Sequence, residues 1–99
     1  MSEAAYEPKG ENLATMIKLP SFAATATQVD CDESITLDEL TLFATPETFR
    51  ALGLFFINAA LDLDLHSKDH IHLQDSIENF STDEHCDIIL VNKKIVTAN

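Results

Sequence analysis

The sequence predicts an α+β fold, a two-layer sandwich with one main helix packed on one face of a mostly antiparallel sheet of four to five strands. Three observations carry this expectation. Residues 45–65, "TPETFRALGLFFINAALDLDL", open with a helix-starting Thr-Pro-Glu and continue with apolar residues three and four apart. On either side, "SITLDELTLFA" and "DHIHLQDSI" alternate with the two-residue period of a half-buried strand. The run "DIILVN" has strand length and branched apolar side chains, as an interior strand of the same sheet requires. One helix set between two groups of strands most simply covers one sheet face.

In chain order, the first dozen residues are polar and broken by Pro8 and Gly10, so residues 1–12 are read as an N-terminal arm and residues 13–99 as one α+β domain. "NLATMIKLP" alternates imperfectly before Pro20 and suggests a short strand. In "SFAATATQVDC", Phe22, Ala24, Ala26 and Gln28 share one face. The polar "DCDES" then suits a hairpin loop into the strand "SITLDELTLFA". Its alternation changes phase near Asp38–Leu40, as at a β-bulge or a simple end of pairing.

The helix signal is the clearest in the chain. Thr45 supplies an N-cap, Pro46 the first helical position and Glu47 a carboxylate where the helix dipole favours one. Phe49, Leu52, Gly53, Phe56, Ala59, Ala60 and Leu63 are expected to form the buried face, Gly53 allowing close approach to the sheet. Leu54, Ile57, Leu61 and Leu65 form a second apolar row, read either as part of a wide buried arc or as a dimer or partner surface. Beyond it, His70, His72 and Gln74 are expected on one side of a strand and Ile71 and Leu73 on the other. "ENFSTDEHC" reads as a polar loop carrying Phe80, and "KKIVTAN" as a continuation of the last strand or a further edge strand.

Seventeen Asp and Glu against six Lys and Arg give a formal charge of −11. Such a charge repels nucleic acid and anionic membrane and attracts basic partners. The start lacks a basic segment followed by an apolar one, and "FRALGLFFINAALDL" falls short of the roughly 20 apolar residues that span a bilayer, so a cytoplasmic protein is expected. Cys31 and Cys86 are then read as reduced thiols.

The strand histidines are compatible with two kinds of chemistry. A His-x-His pair supplies two imidazoles on one face, two ligands of a tetrahedral zinc if His66, Asp69, His85, Asp75 or Cys86 completed it. His70 with Asp69 or Asp75 also has the composition of an acid/base pair. No Cys/His zinc spacing, phosphate loop or nucleophile motif accompanies either, so neither an enzyme nor a cofactor is expected. The carboxylates of "DSIENFSTDEH" read better as a surface: Asp69, His70, His72, Asp75, Glu78, Phe80, Asp83 and Glu84 are the expected contacts to a partner protein, with Phe80 an exposed aromatic anchor among acids.

From "TPETFRALGLFFINAALDLDL" through "DHIHLQDSIENFS" to "CDIILVN", residues 45 to 92, the chain resembles the immunity protein 32 family and related small immunity proteins of bacterial polymorphic toxin and type VI secretion systems. The resemblance implies a cytoplasmic antitoxin that binds a cognate secreted effector toxin and blocks it. It leaves the first third of the chain and the toxin's activity unassigned. The alternatives are a small zinc-binding module through His70 and His72 and a homodimeric adaptor through Leu54, Ile57 and Leu61.

Overall fold

The computed structural model describes residues 17–96. The expected arm, residues 1–12, and Leu13 and Thr15 of the first expected strand lie outside them. The chain divides into two compact units, Met1–Thr41 and Leu42–Asn99.

In the first unit, β1 (Thr25–Ala26) pairs antiparallel with β2 (Ile35–Thr36), Thr25 opposite Thr36 and Ala26 opposite Ile35. A hydrogen bond from Leu37 N–H to Ala24 O (2.9 Å) continues the ladder by one step. The expected hairpin is present, but its strands are short. Among the described residues 38–45 none is in a strand, so the change of phase at Asp38–Leu40 coincides with an end of pairing. The connection is longer than "DCDES" and turns at Gln28–Cys31, where Cys31 N–H reaches Gln28 O (3.1 Å) and Asp30 takes a left-handed φ of 62°. Asp tolerates that region better than most residues, because its short side chain can satisfy nearby backbone groups. Ile17 and Leu19 are exposed and not in a strand.

The second unit is built on α1 (Pro46–Leu65). Thr45 is extended, its hydroxyl accepts from Thr48 N–H at 3.2 Å and its carbonyl from Phe49 N–H at 3.0 Å. This is the start that Thr-Pro-Glu specifies, with proline where no N–H is needed. Replacing Thr45 with Ala is expected to cost about 1 kcal/mol, and Thr45→Ser much less, because only the hydroxyl is in use. Thermal melts of the two variants check it. At the other end His66 N–H bonds Asp62 O (3.1 Å), and Ser67 takes a left-handed φ of 51° as the chain turns away.

β3 (His70–His72) follows, then a single 3-10 turn (Leu73–Asp75), a polar loop and β4 (Ile89–Val91). β3 and β4 are antiparallel, with His70 opposite Val91, Ile71 opposite Leu90 and His72 opposite Ile89. Bonds from Asn92 N–H to Asp69 O and from Leu73 N–H to Ile88 O, both 2.8 Å, extend the ladder at its two ends. The amide of Asn92 donates to Leu63 O (3.4 Å) and Lys68 O (3.0 Å), tying the end of β4 to the end of the helix.

Among the described residues the architecture is therefore α+β, with one α-helix and two antiparallel sheets of two strands each. Among the described residues the four strands pair two by two and form no single larger sheet. Residues 93–96, expected to extend β4 or make another strand, turn back instead, with Ile95 N–H and Val96 N–H both on Asn92 O. Gln74 belongs to the 3-10 turn and not to the strand.

Phe55, Ala59 and Leu73 are the buried residues, with Leu52, Ile71, Ile77, Ile88 and Leu90 packed against them. The helix is therefore rotated from the expected phase. Phe55, absent from the predicted face, is its centre, whereas Phe49, Phe56 and Ala60 are exposed. Gly53 has nothing within 4 Å of where a Cβ would stand, so it does not serve a close approach to the sheet. Apolar residues stand nearly all round this helix, which makes its phase a matter of tertiary packing. No helix among the described residues is long and apolar enough to cross a membrane.

Candidate partner-binding surface

The two-residue period of β3 places His70 and His72 on the same face, their rings edge to face with centroids 5.2 Å apart. Each imidazole is held by a carboxylate through Nδ1: His70 by Asp69 at 2.7 Å and His72 by Asp87 at 2.6 Å. The pairs differ in setting. Asp69 and His70 are neighbours in sequence and both are exposed, whereas His72 and Asp87 are fifteen residues apart and both are half-buried. Only the second pair binds separate segments together.

Asp87 does more than hold a ring. Its other oxygen accepts Gln74 N–H at 2.9 Å, fixing the 3-10 turn against the segment that enters β4. Burial acts to raise its carboxyl pKa, but the hydrogen bond from His72, those from the Gln74 and Ile88 N–H groups and the charge of His72 together outweigh it and hold the pKa below the ordinary value. Ser76 completes the corner by donating its hydroxyl to His72 O at 2.9 Å.

A second carboxylate gathers the helix end. Asp62 pairs with Lys68 at 3.0 Å and with His66 at 2.6 Å. Its pKa is lowered first by the Lys68 hydrogen bond and then by that of His66. This network lies at the surface, where water and salt weaken such pairs, so it orders the turn more than it stabilises the fold.

The loop between the 3-10 turn and β4 carries most of the remaining expected contacts. Asp75, Glu78, Asp83 and Glu84 are all exposed. The turn at 81–85 is tight: Glu84 N–H and His85 N–H both bond Ser81 O, Asp83 N–H bonds the Ser81 hydroxyl, and Ser81 N–H donates to His85 Nδ1 at 3.0 Å. That last bond requires the proton of a neutral His85 to sit on Nε2. Phe80 departs from expectation. It is half-buried and stacked on His85, with ring centroids 5.6 Å apart, so it braces the loop and is not a freely exposed anchor.

Asp69, His70 and His72 thus stand together on and beside β3, while the loop acids are displayed separately from it. Asp87, Asp62 and the Ser81–His85 bond were not anticipated. The "CDIILVN" segment signals only an apolar strand, and nothing in its spacing pairs Asp87 with a histidine fifteen residues earlier. Among the described residues no group of three or more His, Cys, Asp or Glu is placed to hold a metal ion. Cys31 and Cys86 are both free thiols. No protein-family model, curated protein or solved structure matches this chain.

Proposed function

We propose that this protein is a cytoplasmic immunity protein that neutralises a cognate secreted effector toxin by covering its active cleft, a binding role with no catalysis of its own. The observation that carries the reading is the concentration of exposed carboxylates on a braced scaffold. Asp69, Asp75, Glu78, Asp83 and Glu84 project from the residue before β3, the 3-10 turn and the loop, in a chain of formal charge −11. Fixed acidic groups of this kind attract a cationic cleft from a distance and set the register of docking. Asp87 ties the two ends of the loop together and the Ser81–His85 bond braces its middle, so less conformational freedom is lost when a partner binds.

The test is genetic and then biochemical. Deleting the gene should make the producing strain sensitive to its unmodified kin, and the intact gene should restore protection. Reversing Asp69, Asp75, Glu78, Asp83 and Glu84 to lysine should remove protection and weaken capture of the toxin at least about tenfold, since close interfacial charge pairs couple by more than a kcal/mol. Circular dichroism should show the helix retained. A deletion strain indifferent to its kin sinks the reading.

A further inference from the structure

The face of α1 away from its core carries a second apolar row. At 100° per residue, Leu54, Ile57 and Leu61 lie about 120°, 180° and 140° round the helix from the midpoint of Phe55 and Ala59, so the row centres on the side away from the core. They are 62%, 61% and 56% exposed. Together with Arg50 and Asp64 they follow four-three-four-three spacing, the repeat by which one helix presents a continuous seam to another.

We propose that this seam binds a second copy of the chain, the two helices antiparallel about a two-fold axis at Ile57. The ends of the seam argue for that occupant. Arg50 lies seven residues before Ile57 and Asp64 seven after it, each about 10 Å along the helix from the axis. An end-for-end partner therefore sets the Arg50 of each copy against the Asp64 of the other, and Leu54 beside Leu61. A parallel pair would instead set like charges together. Among the described residues neither side chain is in an ion pair: the pairs there involve Asp62, Asp69 and Asp87, and both Arg50 and Asp64 are exposed. Gly53, whose absent side chain leaves room that no described residue fills, flanks the seam one turn from Ile57. Such a residue lets two backbones come close.

The contact is isologous, so each substitution acts twice. It is also small: a single helix pair buries less than the roughly 1,200 Å² of a standard interface, and micromolar association is expected. The inference goes beyond the proposed toxin-binding role and uses none of its residues.

Sedimentation equilibrium on the full chain tests it. The unaltered protein should run at twice the chain mass at about 100 µM, well above a micromolar dissociation constant. Arg50→Glu alone, or Asp64→Lys alone, sets like charges together at both ends and should weaken association about tenfold or more. The double variant Arg50→Glu, Asp64→Lys should restore it, a rescue that misfolding cannot produce. Ile57→Asp should give monomer. A monomeric unaltered protein at that concentration, single reversals that leave association unchanged, or a double variant that does not recover would each overturn the proposal.

Discussion

Phe55→Ala is expected to unfold the second unit, whereas Phe56→Ala, one residue on, should leave it standing. Phe55 is 8% exposed and forms the core with Ala59 and Leu73; Phe56 is 42% exposed. Truncating a buried phenylalanine costs about 3–5 kcal/mol, through lost burial and the cavity left behind. A core of this size supplies no more than about 3–5 kcal/mol of net stability, so the loss is comparable with the whole. The exposed neighbour already has much of its ring in water and should cost about 1 kcal/mol or less. Urea unfolding followed by helical ellipticity separates the two variants. A larger loss for Phe56→Ala than for Phe55→Ala would mean that the helix packs in the phase its sequence alone suggests.

Asp87→Ala should give the largest effect of any polar substitution among the described residues, about 2 kcal/mol, because it strands both His72 Nδ1 and the Gln74 N–H. A double-mutant cycle with His72→Ala isolates the side-chain pair from the turn. The same carboxylate predicts an acid limit to stability. Its pKa is lower in the folded chain than the ordinary 3.8, so its contribution is complete above that value and is lost as the pH falls through the lower, folded-state value. Melting temperatures of the unaltered protein should therefore fall between about pH 4 and pH 2, and those of Asp87→Ala should fall less over the same interval. Asp62 shifts in the same direction but lies at the surface, and Asp62→Ala should flatten the curve less than Asp87→Ala. Parallel curves for the unaltered protein and Asp87→Ala would remove Asp87 from the account.

These substitutions follow from different levels of organisation, and so did the success of reading the sequence. Thr45, Pro46 and Glu47 specify the helix start through groups that contact their own neighbours, and the helix begins at Pro46. The strand at His70–His72 and the strand within "DIILVN" were legible from local period and composition, as was the hairpin of the first unit. The exposure of Asp69, Asp75, Glu78, Asp83 and Glu84 also follows from polar sequence, since carboxylates are seldom fully buried.

What the sequence by itself determined was thus the place of the helix and of the four strands, the helix cap and the acidic surface, all consequences of interactions within a few residues. Only the tertiary structure decided which side of the helix faces inward, because a helix apolar on most sides has no preferred phase until Leu73, Ile77 and Ile88 pack against one of them. It likewise decided that His72 is held by Asp87 and that Phe80 lies on His85. Those contacts depend on where the chain returns, and local spacing carries no record of that.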